Sequence, residues 1–254
     1  MNNPGKVEII PIRVAKDIAV GENIVKIISD YLKKNNESLK DDDVLVITHK
    51  IISKSEGRIF DLTQVKPTAK AKKIAANHNK DPRLVELIMS ESLRLLKLRQ
   101  GVILAETKHG FVCANAGIDN SNVSQNHNKV TLLPIDSDRS ARTISKEIRI
   151  REKKNVAVVI SDTFGRPFRE GQVNVAIGIS ELEPVKSYVG KKDMYGKSLR
   201  VTEIAIADEI ASAAELVMGK TSRIPIAIVR GLQYSSRNAS ILRLIRRKEN
   251  DFFR

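Results

Sequence analysis

The fold of this chain is decided by the stretch Val156-Ala157-Val158-Val159-Ile160-Ser161-Asp162-Thr163-Phe164-Gly165-Arg166. Its first five residues are apolar without alternation, which is typical of a central β-strand covered on both faces. Such a strand needs a layer on each side of its sheet, so it predicts a protein of mixed helices and strands. Asp162 follows the apolar run at the end of the strand, where α/β proteins commonly place ligand-binding groups.

Short β-branched runs elsewhere predict further strands, and apolar spacing with capping residues predicts helices. The predicted strands are Val7–Ile12, Val44–Thr48, Val102–Glu106, Phe111–Ala114, Val130–Leu133, Val156–Ser161, Val173–Ile179 and Ile224–Arg230. The predicted helices are Glu22–Lys34, Thr68–Asn77, Arg83–Leu98 after Asp81-Pro82, Ser140–Lys153, and Glu203–Met218 with Thr202 as its cap. These elements alternate irregularly around a predicted hairpin turn at His109-Gly110, so we expect a mixed α/β (α+β) fold. No linker divides residues 1–254, and we expect a single domain of one or two lobes.

The chain of 254 residues is strongly basic, because 44 Lys and Arg face 30 Asp and Glu for a net charge of +14. A basic domain binds nucleic acid, an anionic membrane surface, or small substrates that carry phosphates and carboxylates. The positive charge is mixed with acidic and apolar residues, and only 4% of the residues are aromatic. Few rings are therefore present to stack on bases, and anionic small substrates are favoured over nucleic acid.

Membrane and metal-cluster functions find no support in the sequence. No apolar run approaches the roughly 18 residues of a membrane span, and the first residues lack a signal-peptide pattern. Cys113 is the only cysteine and the four histidines are scattered, which excludes an internal disulfide and a Cys-rich zinc site. We expect a cytoplasmic protein in which Cys113 is a small buried hydrophobic residue.

The sequence Gly219-Lys220-Thr221 looks like the end of a phosphate-binding P-loop. The complete motif needs a glycine where this chain has Ala214, and a strand where this chain has a predicted helix. We interpret Gly219 instead as the left-handed turn that ends this helix.

Three polar segments that contain glycine lie next to apolar strands. The first, residues 48–58, combines hydroxyl groups with three cations and suits a phosphate chain, or else forms a solvated turn. The second, residues 113–123, places Asp119 among amide side chains, a donor set that suits magnesium, or else forms an Asx turn.

The third polar segment, residues 161–172, begins with Asp162 and Thr163, which could bind a metal ion. Arg166 and Arg169 could bind phosphate or carboxylate oxygens as forks. The alternatives are that Asp162 caps a helix and that Arg169 forms a surface pair with the glutamate after it. Two carboxylates at separate strand ends, with cations beside them, make a metal-assisted phosphate site the best hypothesis.

Taken together and in order, these segments resemble the coenzyme F420:L-glutamate ligase family. The resemblance extends from about Glu8 to Leu232 and includes two later motifs. These are Ala207-Asp208-Glu209-Ile210-Ala211 with Glu215-Leu216-Val217-Met218-Gly219, and Ile224-Pro225 leading to Val229-Arg230-Gly231.

The resemblance implies a GTP-dependent ligase that adds L-glutamate to coenzyme F420-0 through an acyl phosphate, giving F420-1 and F420-2. It implies magnesium or manganese, two ions per site, with potassium as a further candidate. It also implies an intertwined homodimer with a fold of mixed sheets and flanking helices. The extra C-terminal domain of some bacterial relatives is not expected in this chain, and neither a nucleic acid nor a membrane is an expected partner.

By the same resemblance, Asp119 and Asp162 would hold one metal ion and Thr163 would help to hold a second. Lys54 and Arg166 would be the catalytic cations. The nucleotide contacts would come from Ile10, Pro11, Ile12, His49, Lys50, Lys54, Asn122, Met218, Gly219 and Lys220.

Two positions depart from the family pattern. Where relatives often carry an acidic or amide side chain that reaches the second metal, this chain has Lys220, and a cation does not ligate magnesium. Either the second metal is held differently or Lys220 contacts phosphate. His49 replaces a small hydroxyl residue at a nucleotide contact.

Two other functions compete with this hypothesis. One is a related amide ligase that joins an amino acid to another phosphorylated cofactor. The other is a basic nucleic-acid-binding protein, which would bind strands with a steep salt dependence and turn over no nucleotide.

Overall fold

The computed structural model describes residues 5–99, 101–121, 123 and 128–251. The strands are β1 Glu8–Ile12, β2 Val44–Thr48, β3 Ile59–Asp61, β4 Ser92–Arg99, β5 Val102–Thr107, β6 Val112–Ala114, β7 Lys129–Thr131, β8 Ala157–Arg166, β9 Arg169–Ser180, β10 Lys186–Ser187, β11 Glu203–Ile204 and β12 Ile226–Arg230. The helices are α1 Ile24–Lys34, α2 His49–Ser55, α3 Ala69–His78, α4 Pro82–Ser90, α5 Ser137–Glu152 and α6 Ile206–Met218.

The main sheet has five strands in the order β1-β12-β2-β8-β9. Its β2 and β8 are parallel, and the other neighbouring pairs are antiparallel. Smaller sheets are formed by β4-β5-β6, by β3 with β7, and by β10 with β11. The predicted mixed α/β architecture is confirmed, and β8 lies inside the main sheet as its apolar run predicts, one place from the middle strand β2.

The parallel pairing of β2 with β8 forms the centre of the core. Leu45, Ile47, Val158 and Ile160 are all fully buried. The register aligns the two strands without a shift and ends with Thr48 beside Ser161. The carboxyl end of β2 therefore lies beside the end of the apolar run of β8, and the polar segments 48–58 and 161–172 begin there.

The buried residues form two clusters in the described part of the chain. The larger lies around the main sheet, and the smaller involves α3, α4 and β5, with Ala71, Ile88 and Ile103 fully buried. The connection from β2 to β8 supplies the smaller cluster, so the segment that contains Asp119 leaves the main sheet and returns to it.

The predicted helix Arg83–Leu98 is wrong in its second half. The helix, α4, ends at Ser90, and the residues after it form β4, which pairs with β5 and has two irregularities of register. The spacing of the leucines in this segment is compatible with one face of a helix or of a strand. Here pairing with β5 overrides the helical preference.

The start of the last helix also differs from the prediction. Helix α6 begins at Ile206 with Ala205 at its N-cap, because Glu203 and Ile204 pair with β10 as β11. Thr202 is therefore not its cap. The helix ends at Met218 and Gly219 follows with a positive φ of 58°, which confirms that Gly219-Lys220-Thr221 is a helix terminus and not a P-loop.

No helix within the described ranges is both long enough and apolar enough to cross a membrane.

Gly178 in β9 is required by a close approach of the backbone of α5. A Cβ atom at this position would lie 2.5 Å from the carbonyl carbon of Ser137 and 2.6 Å from its oxygen. Asp138, the next residue, accepts hydrogen bonds from the N–H groups of Ile179 and Ile241, so the start of α5 cannot move away freely.

We predict that Gly178→Ala lowers the free energy of unfolding by about 1–3 kcal/mol, because the methyl group overpacks a fixed contact. Gly165→Ala is the matched control, since a Cβ at Gly165 meets nothing within 4 Å. Urea denaturation followed by circular dichroism measures both. Equal stabilities of the two variants would contradict this account of the α5–β9 contact.

Candidate active site

The first turn of α2 contacts two carboxylates from different segments. His49 Nε2 lies 3.3 Å from Asp162 Oδ1, and Lys50 Nζ lies 2.8 Å from Asp119 Oδ2. His49 and Lys50 are consecutive residues, so Asp119 and Asp162 lie beside the same helical turn. The three polar segments of the sequence therefore converge at one edge of the main sheet.

Asp119 is ionised at neutral pH. Burial opposes its ionisation, but the Lys50 ammonium and hydrogen bonds from Ser121 outweigh this and lower the pKa of Asp119 below its ordinary value of 3.8. The N–H of Ser121 donates to Asp119 Oδ1 over 2.6 Å. About a third of the carboxylate side chain stays exposed, so it can meet a cation from solvent.

His49 is buried beneath Asp162. Only 1% of the residue is exposed, and Nδ1 lies 3.4 Å from Ser53 Oγ. The Nε2–Oδ1 contact with Asp162 is close but lacks hydrogen-bond alignment. The side chain thus supports the position of a carboxylate, and its contact with a nucleotide stays a prediction.

Asp162 is not a helix cap, because β8 continues past it to Arg166. The carboxylate accepts from the N–H of Thr163 at 2.6 Å. Opposite Thr163 on β9 is Asn174, whose Oδ1 accepts the hydroxyl of Thr163 over 2.7 Å. Lys220 Nζ donates to Thr163 Oγ1 over 2.6 Å, which brings the residue after Gly219 to the strand that carries Asp162.

Lys54 is a buried cation whose partner is exposed. Its residue exposure is 5%, and its Nζ lies 2.6 Å from Oδ1 of Asp17, a carboxylate whose side chain is 72% exposed. An ammonium at this depth needs an anion. Asp17 satisfies that need from the surface, where an anion from solution could compete with it.

Arg166 is not joined to the carboxylates. Its Nη2 donates to Glu170 O over 2.6 Å across the β8–β9 turn. Within the described part of the chain, no hydrogen bond or ion pair links it to Asp119 or Asp162. Its role in catalysis therefore stays a prediction.

The other predicted nucleotide contacts lie at or near the same sheet edge. Ile12 pairs with Ile226, and Ile226 pairs with Ile47, so the carboxyl end of β1 reaches this edge with Ile10 and Pro11 before it. Residues 219–225 follow Met218 and return to the edge, where Pro225 O accepts from the N–H of Thr48. Asn122 lies outside the described residues.

Sequence reasoning missed Asp17, Asn174 and Glu215. A usable signal existed for Asn174, which is an amide inside the apolar run Val173–Ile179 and is only 2% exposed. A buried amide has partners, and these partners mark polar neighbours.

Asp119 and Asp162 are donors of the kind that a hard divalent cation takes. Among the described residues, no group of three or more His, Cys, Asp or Glu side chains could hold a metal. Two carboxylates with the remaining positions left to phosphate and water are the arrangement that magnesium prefers.

Comparison with known proteins gives concordant matches. A family model described as F420-0:Gamma-glutamyl ligase matches residues 12–231. The chain is 43% identical over 240 residues to the coenzyme F420:L-glutamate ligase of Methanothermobacter thermautotrophicus, which covers 93% of this chain and 94% of that protein. The identities are 41% to the ligase of Methanocaldococcus jannaschii (91% and 90% covered) and 39% to that of Archaeoglobus fulgidus (98% and 97% covered).

The structure predicts that Cys113 is unreactive in the folded protein. The thiol is buried, as the sequence predicts, and burial, with the nearby Asp162 charge, raises its pKa to about 12. Because only the thiolate reacts, alkylation at pH 8 should be at least about 10³-fold slower in the native protein than in urea. Mass spectrometry of iodoacetamide-treated samples measures this. Stoichiometric labelling of the native chain within minutes would contradict it.

Proposed function

Since this chain belongs to the F420-0:gamma-glutamyl ligase family, it is an acid–amino-acid ligase that adds glutamate to F420-0, and we propose that GTP drives the reaction through an acyl phosphate. The observation that carries the assignment is the match over residues 12–231 together with about 40% identity to ligases along nearly the whole chain. The product with one glutamate would accept a second, giving F420-2.

The proposed chemistry activates a carboxylate. An oxygen of the F420-0 carboxylate attacks the γ-phosphorus of GTP, and the bond to the bridging oxygen of GDP breaks. The amine of glutamate then attacks the acyl carbon, phosphate leaves, and the amine loses a proton. Both reactants of the first step are anionic, so cations around the γ-phosphate must offset their repulsion.

Asp119 and Asp162 are proposed to hold magnesium or manganese. Their juxtaposition at one turn of α2 and the lowered pKa of Asp119 support this role. A bound divalent ion would neutralise phosphate charge and orient the γ-phosphate. Lys50 contacts Asp119 in the structure described here, and we infer that the ammonium then turns toward phosphate oxygens.

Lys54 is proposed to bind the nucleotide in exchange for Asp17. The buried ammonium is held by a single exposed carboxylate, and a phosphate can take the place of that carboxylate without leaving Lys54 unpaired. Arg166, at the β8–β9 hairpin, is proposed to guide an anionic substrate as a fork. The net charge of +14 supports capture of GTP, F420-0 and glutamate, which are all anions.

A homodimer is proposed from the segment between β9 and α6. This arm, residues 186–204, exposes Val189, Met194, Tyr195 and Val201, the last three to at least 87%. Apolar side chains clustered on an extended arm mark an interaction surface. An arm of this kind from each of two chains would bury the other's apolar groups, as an intertwined dimer requires.

The function is tested by incubating the protein with F420-0, glutamate, GTP and magnesium and analysing the products by mass spectrometry. We expect F420-0 to gain one or two glutamyl groups with formation of GDP. If F420-0 stays unmodified while another phosphorylated acceptor is amidated, the related ligase is the correct function. Salt-sensitive binding of nucleic acid without nucleotide turnover would favour the nucleic-acid-binding alternative.

We predict that Asp119→Asn and Asp162→Asn each lower kcat/KM for glutamylation by roughly 10²-fold or more, because each removes a carboxylate from the proposed cation site. Asp30→Asn, an exposed substitution on α1, is the matched control and should retain activity. Thermal unfolding shows whether the variants are folded. Full turnover in both site variants would contradict the metal assignment.

The dimer proposal predicts that Met194→Glu combined with Tyr195→Glu converts the protein to a monomer. Two carboxylates in an apolar contact lose their hydration without gaining a partner. Light scattering after size-exclusion chromatography should give twice the 28.3 kDa chain mass for the natural sequence and the single chain mass for the variant. A variant that remains dimeric would exclude this arm as the interface.

A further inference from the structure

Three side-chain oxygens converge on the ammonium of Lys220. Lys220 Nζ lies 2.6 Å from Thr163 Oγ1, 3.2 Å from Asn174 Oδ1 and 3.3 Å from Glu215 Oε1. The three oxygens come from β8, β9 and α6, so they are brought together only by the fold. Hydroxyl, amide and carboxylate oxygens are the donors that hard metal ions take in proteins.

The hydrogen bonds inside this cluster aim its lone pairs at one point. The hydroxyl of Thr163 donates its hydrogen to Asn174 Oδ1, so the hydroxyl oxygen can accept a hydrogen bond from Lys220. Asn174 Nδ2 donates to Glu215 Oε2 over 3.2 Å, which fixes the amide with its oxygen toward the ammonium. Asn174 is almost fully buried and cannot turn to water instead. The cluster is therefore built to surround a cation.

Helix α6 places the ammonium there. The helix ends at Met218, and Gly219 with its positive φ redirects the chain so that Lys220 reaches back to Glu215, five residues earlier. The partial negative charge at the carboxyl end of a 13-residue helix favours a cation at this place.

We propose, as a refinement that rests on the proposed GTP-dependent ligation, that the Lys220 ammonium is the resident cation of this cluster. The site then takes one divalent metal ion, at Asp119 and Asp162, and a second is excluded from the cluster of Thr163, Asn174 and Glu215. A metal ion at the same oxygens would meet the positive charge of Lys220 with only one carboxylate, that of Glu215, to offset both charges. The proposed site at Asp119 and Asp162 has two carboxylates for the metal ion, so Lys50 can turn from Asp119 to phosphate there. The residues present thus do not fit a second divalent ion.

The chemical consequence is a positive charge at the residue that follows Asp162 on β8. Thr163 follows Asp162 directly, so the ammonium lies one residue along the strand from a proposed metal ligand. The Lys220 side chain is 55% exposed, so phosphate oxygens can approach it from solvent. Lys220 would therefore stabilise charge on the nucleotide that a second metal ion would otherwise stabilise.

The test is the number of Mn²⁺ ions bound per chain, measured from the electron paramagnetic resonance signal of free Mn²⁺ during titration of the full chain. Titrations are made with Mn²⁺ alone and with a non-hydrolysable GTP analogue, in the absence of F420-0 and glutamate. We expect one ion per chain for the natural sequence and two for Lys220→Glu, which adds a carboxylate to the three oxygens. Lys70→Glu on α3 is the matched control for added negative charge and should bind one ion.

The variant Lys220→Met distinguishes the loss of the positive charge from the gain of a metal ligand. It should bind one Mn²⁺ per chain and bind the GTP analogue about tenfold more weakly, because it removes the cation and adds no ligand. Two ions per natural chain, or an unchanged count in a folded Lys220→Glu variant, would overturn the proposal. If the analogue fails to bind at all, the GTP-dependent step is wrong, and the count with Mn²⁺ alone still decides the role of Lys220.

Discussion

The parallel pairing of β2 with β8 is the constraint on which the rest of the site depends. Five residue pairs are aligned in register, and nine of these ten residues, all but Thr48, are buried within the main sheet. β2 ends at this pairing, and β8 continues beyond it to Arg166. Thr48 and Ser161 lie side by side there. Everything that follows either strand, α2 on one side and the Asp162–Thr163 pair on the other, starts from this fixed point.

Opposite charges are paired throughout this edge. Lys50 meets Asp119, Lys54 meets Asp17, and Lys220 meets Glu215. Charges that are partly removed from water need such partners in the absence of ligand. Under the proposed function, the same cations would already lie near the phosphate groups of the nucleotide, which would limit reorganisation as charge develops there.

The sequence predicts the site better than it predicts the elements between the strands. Asp119 and Asp162 could be singled out as candidates because each follows an apolar run and has polar neighbours that packing alone does not explain. The strand Ser92–Arg99 could not be predicted, since the spacing of its leucines fits both a helix and a strand, and pairing with β5 decides between them. The cluster around Lys220 could not either, because Asn174 and Glu215 contact each other only through the packing of α6 on β9. The start of α4 at Asp81-Pro82 is a local signal, and there sequence and structure agree, since Asp81 is the N-cap.

The central claim is that Asp119 and Asp162 form one divalent cation site whose neighbouring positive charges come from the chain itself. Crystals grown with Mn²⁺ and GDP, with diffraction recorded on either side of the manganese absorption edge, test it most directly. The account predicts one anomalous peak per chain, within about 2.3 Å of an oxygen from each of the two carboxylates. A peak bound by neither carboxylate, or a second peak among Thr163, Asn174 and Glu215, would contradict it.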